Sequence, residues 1–391
     1  MIFPQASHLP ALRLAERLVH EGPGAGWASR AYFSDDGSTG MEVALKMAFR
    51  AFSKREGWRK HADPELGVIG LKGSYHGDTI GAMDACEEGI FTCEWHNAKG
   101  YWLDPPTVSI RAGCVQVTLP LNMLLAVGYP TVQFDSLSSL YDIDTRLRSP
   151  LAQQYQKLIY DCLSQIQRTG RLKLAALVIE PLIMGAGGMV FVDPLFQRVL
   201  VDAVRRTTPQ NYQGPKPVAG EWHGMPVIYD EVFVGLYRIG MRTCASLLGV
   251  NPDIAVYAKI LTGGLVPMAL TLANDSIYQA FMGETKAEAL LHGHSYTAHP
   301  VGCEVANEAL DLLENLPGTD HWTQARRRWQ TSGKLSSQGT LPTVWSFWDP
   351  AFINKLSTNP KIVEVMTLGT VLAFKLRDST GGMSCGFIDE Q

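Results

Sequence analysis

Residues 226–264 read PVIYDEVFVGLYRIGMRTCASLLGVNPDIAVYAKILTGG, and this stretch decides the fold. Two apolar runs within it, 226–230 and 254–257, show no alternation of polar and apolar residues. A strand with one wet face alternates, so short unbroken apolar runs point to strands covered on both faces, as in a parallel sheet flanked by helices. Both runs end on residues suited to chemistry. The first closes on Asp230-Glu231; the second runs into Ala258-Lys259 and then the Gly263-Gly264 turn. Ligands in open α/β sheets sit beyond the carboxyl ends of the strands, so these two ends mark a candidate site.

The same rhythm continues outward. Residues 29–33 form a strand candidate leading into Asp35-Asp36-Gly37-Ser38-Thr39-Gly40, where a turn and a helix start coincide. After it Met41, Ala44, Leu45, Ala48, Phe49 and Phe52 recur at helical spacing. Further strand candidates lie at 67–71, 174–180 and 268–272. The expected fold is α/β: a large domain with a mostly parallel sheet over residues 29–305, a partial small domain over 306–391, and an N-terminal remnant over 1–28. Residues 87–130 carry Trp, Tyr, paired prolines and two cysteines without periodicity, and are expected to form an elaborated loop. Residues 207–224, rich in Pro, Gly and Gln, read as a surface excursion, and the chain from Ser379 onward as an unpatterned tail.

Bulk properties narrow the function. The chain of 391 residues has 34 basic and 38 acidic side chains without long runs of one sign, which argues against nucleic acid as a partner. Its apolar runs fall short of the ~18 residues a membrane span needs, so a membrane partner is not expected. The seven cysteines show no C-x-x-C spacing, which suggests free thiols and neither a disulfide framework nor a zinc site.

Several strand ends carry candidate chemistry. Gly37-Ser38-Thr39 offers backbone N–H groups and two hydroxyls at a helix N-terminus, a place that favours phosphate; an ordinary capped helix is the alternative. Lys259, flanked by apolar residues and a glycine turn, is expected to be desolvated and so nucleophilic; a lysine reaching for the surface is the alternative. Tyr75-His76-Gly77-Asp78 sets an aromatic beside a small turn residue, against the plainer reading of a core tyrosine and a solvated aspartate. Glu180-Pro181 closes another strand. His292 and His294 lack a third partner at ligand spacing, so no metal is expected.

Taken in chain order, Gly37-Ser38, Tyr75-His76-Gly77-Asp78, Glu180-Pro181, Asp230-Glu231 followed by Gly235, Lys259 before Thr262-Gly263-Gly264, and His292-Gly293 form one set. Over about residues 27–310 the chain resembles the class III aminotransferases. A narrower likeness, to the diaminopelargonate aminotransferases of biotin synthesis as fused to dethiobiotin synthase in fungi and plants, rests on YHGDTIGAM at 75–83, EPLIMGAGGM at 180–189 and LDPPTV at 103–108. The resemblance implies a fold-type I architecture, pyridoxal 5'-phosphate as cofactor, a homodimer, and transfer of an amino group from S-adenosylmethionine to 8-amino-7-oxononanoate.

It also implies roles. Lys259 is the lysine that carries the cofactor and moves a proton between the alpha carbon and C4′. Asp230 pairs with the pyridine nitrogen, whose protonation makes the ring an electron sink. Tyr75 stacks on the ring and borders the substrate, with His76 and Glu180 supporting the cofactor. Gly37 and Ser38 hold the phosphate, while His294 and Ser295 reach the phosphate of a partner subunit's cofactor. Asp78, Arg238 and Gly293 adjoin the substrate. The fused relatives imply a mitochondrial location, although this N-terminus shows no Arg-rich, Ser-rich import segment. Set against the family, the chain is expected to be truncated at both ends and to lack the GxxxxGK[ST] loop of a dethiobiotin synthase half. Two readings therefore stand beside an active enzyme of biotin synthesis: a catalytically impaired piece, and a class III aminotransferase for another omega-amine such as ornithine.

Overall fold

The structure, a computed structural model, describes residues 7–89, 92–206, 224–331 and 344–377. The excursion expected at 207–223 and the tail from Ser379 lie outside the described residues. A seven-stranded sheet runs in the order Arg30–Ser34, Ala269–Ala273, Ile254–Tyr257, Val227–Asp230, Leu172–Ile179, Glu65–Leu71, Gly100–Leu103. Every neighbouring pair from Ile254–Tyr257 to Gly100–Leu103 is parallel, and Ala269–Ala273 runs antiparallel to both of its neighbours. The mostly parallel α/β sheet read from the apolar runs is the observed one, and its central strands are buried along their whole length.

The helix Gly37–Glu56 lies across this sheet. Its start is written in Asp36, whose carboxylate accepts the Thr39 N–H at 2.8 Å, and its end in Gly57, held in the left-handed region at φ 63°. Gly40 lets the helix sit directly on the strand Ile254–Tyr257, because a Cβ there would come 2.7 Å from Val256 Cγ1. Asp36→Ala is expected to destabilise the fold by about 1 kcal/mol, read from the urea midpoint, since one helical N–H loses its partner.

A second sheet, antiparallel throughout, has the order Val371–Leu376, Ile362–Leu368, Thr107–Arg111, Cys114–Thr118, Thr131–Phe134. The loop expected over 87–130 is thereby corrected. That stretch supplies an edge strand to the large sheet and a hairpin to the second, closed by Ala112 and Gly113 at φ 49° and 80°. These strands hid from a pattern reading because Thr107–Arg111 and Cys114–Thr118 are only five residues each, so their alternation of Val108, Ile110 and of Val115, Val117 with polar neighbours is too brief to stand out. The C-terminal strands join them through Val365 opposite Ile110 and an ion pair from Arg111 to Glu364. At the other end the helix Leu9–His20 buries Leu14 and Leu18 and anchors Arg17 to Asp311 and Glu314 of the helix Pro300–Asn315, both at 2.7 Å. Among the described residues every cysteine is a free thiol, and no helix is long and apolar enough to cross a membrane.

Candidate active site

The turns that follow the parallel strands converge on a cavity of about 730 Å³. Its lining includes Gly37, Ser38, Tyr75, His76, Asp78, Glu180, Asp230 and Lys259, which are separated by up to 222 positions in the chain and meet because their strands end on one side of the sheet. Lys259 and Asp230 thus face one space.

Three ionisable groups form the buried floor. Asp230 ends its strand almost wholly buried, with Oδ2 2.8 Å from His76 Nδ1 and Oδ1 accepting the Val232 N–H at 3.1 Å. The His76 ring is buried, and its Nε2 has no hydrogen-bond partner among the described residues. Glu180 accepts the Tyr75 N–H at 3.0 Å through Oε1 and the Gly185 N–H at 2.8 Å through Oε2. Burial, and then repulsion from Asp230, push the Glu180 carboxyl up to about 7, against opposing hydrogen bonds and the His76 charge. Burial alone would lower His76, but its bond to Asp230 and the two nearby carboxylates outweigh that, so it is raised and favours the imidazolium. Tyr75 is pushed up to about 12 by burial and by a hydrogen bond to Asp78.

The N-terminus of the helix Gly37–Glu56 also lines the cavity. Ser38 Oγ accepts the Thr79 N–H at 3.0 Å and lies 2.9 Å from Thr79 Oγ1. Gly77, at φ +123°, closes against Ser38, and a Cβ there would overlap the serine side chain. The unpaired N–H groups of the helix and its dipole suit this end to an anion.

Lys259 corrects an expectation. Its neighbours Ala258, Leu261 and Thr262 are buried, but Lys259 itself is exposed in the single chain. The cause is local. Lys259 adopts φ 50° at the start of a 3-10 turn and leaves the line of its strand, so its amine lies over the cavity with Nζ 5.9 Å from the Phe233 ring centre.

The class-III aminotransferase family matches residues 136–332, half of the chain. This chain belongs to the class-III aminotransferases. Among curated relatives, the bifunctional dethiobiotin synthetase/adenosylmethionine-8-amino-7-oxononanoate aminotransferase of Emericella nidulans is 43% identical over 97% of this chain and 48% of its own length. The bifunctional dethiobiotin synthetase/7,8-diamino-pelargonic acid aminotransferase, mitochondrial, of Arabidopsis thaliana is 40% identical over 96% of this chain and 42% of its own. The chain thus spans about half the length of the curated relatives it matches. Among solved structures, an amine transaminase from an uncultivated Pseudomonas species, in its PLP-bound form, shares the fold with a TM-score of 0.65 at 24% identity, covering 97% of this chain and 70% of that one.

For a class-III aminotransferase the remaining candidates sit apart from the cavity wall. Arg238 is half-buried behind Phe233, donating from Nε to the Phe233 carbonyl at 3.2 Å, with its guanidinium 5.1 Å from that ring's centre. Gly293, His294 and Ser295 do not line the cavity, but His294 Nε2 lies 3.3 Å from Oδ1 of Asp35, which does. Sequence reasoning missed Phe233, which lines the cavity beside Lys259, and Thr79, whose only signal was its position directly after the Tyr75 turn. It also left Glu231 paired with Asp230. The structure sends Glu231 the other way, to Thr243 Oγ1 at 2.5 Å, Cys244 N at 2.9 Å and Tyr257 Oη at 2.9 Å, where it braces the next turn.

Proposed function

We propose that this chain is the cofactor-holding part of a pyridoxal-phosphate-dependent aminotransferase that moves an amino group from S-adenosylmethionine to 8-amino-7-oxononanoate, giving 7,8-diaminononanoate in biotin synthesis. One observation carries the reading: an amine and a buried, histidine-braced carboxylate face one cavity that a helix N-terminus also lines. The names of the curated relatives support the substrate pair.

The residues fit the cofactor. Asp230 has a charged brace on one oxygen, as an anion opposite a protonated ring nitrogen requires, and Gly77 keeps the phosphate end tight against Ser38. When bound, pyridoxal phosphate supplies an electron sink for the charge left on an amino-bearing carbon after its proton departs. Lys259 Nζ would hold the group and, once free, take and return the proton at that carbon. Asp230 would keep the ring nitrogen protonated, Tyr75 would cover the ring face, and Glu180 would fix Tyr75 through its backbone N–H. Ser38 and the first N–H groups of its helix would bind phosphate. Asp78 and Arg238 would meet substrate.

The exposure of Lys259 supports a homodimer, in which a second copy covers the mouth. Ile80, Leu265, Leu291 and Tyr296 are 61%, 78%, 69% and 66% exposed, large apolar side chains that a second copy would cover, and the segment with Gly293, His294 and Ser295 reaches the cavity rim through His294 and Asp35. The mitochondrial name of the plant relative supports a mitochondrial location. The test is turnover by purified chain supplied with pyridoxal phosphate, S-adenosylmethionine and 8-amino-7-oxononanoate. Product is expected with S-adenosylmethionine as donor and a sedimentation mass of two chains. Turnover with ornithine in its place would move the reading to another omega-amine, and a folded chain that turns over neither pair would overturn it.

A further inference from the structure

One short turn touches Ser38 in three ways. The Thr79 N–H donates to Ser38 Oγ at 3.0 Å, Thr79 Oγ1 lies 2.9 Å from the same oxygen, and Gly77 at φ +123° leaves no room for a side chain between the two segments. A second link lies two residues further on, where Glu42 Oε1, one helical turn after Ser38, accepts the Gly81 N–H at 2.7 Å. The turn and the start of the helix Gly37–Glu56 are therefore bolted together at two levels.

Proton counting gives this contact a direction. A serine hydroxyl has one proton to donate and two lone pairs to accept with. The Thr79 N–H fills one lone pair. Only one of the two hydroxyls can donate across the 2.9 Å gap. When an anion sits at the helix N-terminus, it draws the Ser38 proton toward itself, and the second lone pair of Ser38 is then filled by the Thr79 hydroxyl. A donor that is itself accepting hydrogen bonds is polarised and donates more strongly.

We infer that Thr79 is a positioning residue that acts through Ser38, turning the serine hydroxyl's proton toward the phosphate of the cofactor. This rests on the reading of that helix end as the phosphate site. Thr79 need not touch the phosphate; it supplies both hydrogen bonds that leave Ser38 with a single outward donor.

The test compares the affinities of pyridoxal phosphate and of phosphate-free pyridoxal for the full chain, followed by quenching of intrinsic fluorescence. Thr79→Val keeps the shape and the N–H but removes the hydroxyl. It is expected to weaken pyridoxal phosphate about 5-fold, in line with the loss of one hydroxyl–hydroxyl hydrogen bond worth about 1 kcal/mol, and to leave pyridoxal within about 2-fold. Thr79→Ser is expected to behave as the wild type. In a Ser38→Ala background, Thr79→Val is expected to cause no further loss. The inference is overturned if Thr79→Val is as costly in that background, which would mean direct contact, if it weakens both compounds alike, which would mean a general structural role, or if it changes neither. Equal affinity of the wild type for the two compounds would overturn the phosphate reading itself.

Discussion

Lys259→Ala is expected to abolish both the covalent attachment of pyridoxal phosphate and turnover, with a loss of at least about 10⁴-fold. A positioned base alone contributes about 10²–10⁴-fold, and this side chain has the further task of holding the reactive group. The absorbance band that appears when the wild type is mixed with the cofactor should be missing. The variant should fold, because alanine keeps the Cβ and so pays the same backbone cost as lysine at φ 50°, and the exposed amine makes no ion pair among the described residues. Since the alanine leaves space at the mouth of the cavity, a small primary amine added in millimolar amounts should restore part of the rate. An unaltered band in Lys259→Ala would mean that another amine holds the cofactor.

The exposure of that amine shows where sequence reading stopped. The strand Ile254–Tyr257 was legible to the residue, since a fully buried strand writes an unbroken apolar run. The position of Lys259 beyond it was legible too. Its accessibility was not, because it depends on a left-handed backbone at a non-glycine residue and on how much of the mouth one chain covers. A similar limit applies to Asp230-Glu231. Successive residues at a strand end point to opposite sides, so one carboxylate had to face away, but periodicity alone does not say which. Only the fold, by bringing His76 to one and Tyr257 to the other, decides it. The hairpin between Thr107 and Thr118 was lost for a different reason: its turn is built from Ala112 and Gly113 and not from the Asn-Gly or Asp-Gly pairs that announce such turns. Thr79 was passed over because its importance lies in a contact with a residue 41 positions earlier.

Asp230→Asn should lower turnover by about 10²–10³-fold, the range found when one preorganised electrostatic partner of developing charge is removed. It should also change how the cofactor-free protein responds to pH. In the wild type the Glu180 carboxyl is held at about 7, above its ordinary 4.5, so between those values the folded chain binds more protons than the unfolded one and stability falls as pH rises. His76 is raised above 6.5 and works in the same direction, its stabilisation present at low pH and lost as pH climbs through the folded value. The urea midpoint of the wild type is therefore expected to drop between about pH 5 and pH 8, by an amount on the order of 2–3 kcal/mol in stability. Without the Asp230 charge the two groups part company. Glu180 loses its repulsion and moves down, kept high only by burial. His76 loses the bond and most of the charge that outweighed its burial, so it falls and becomes harder to protonate, which reverses its sign: its contribution is then lost as pH falls. Another buried carboxyl, Glu231, is raised by burial in both proteins and drops out of the comparison. The variant should thus show a flatter pH dependence than the wild type, and parallel curves would mean that His76 does not feel Asp230 as their 2.8 Å contact requires, nor Glu180 as its burial beside that charge requires.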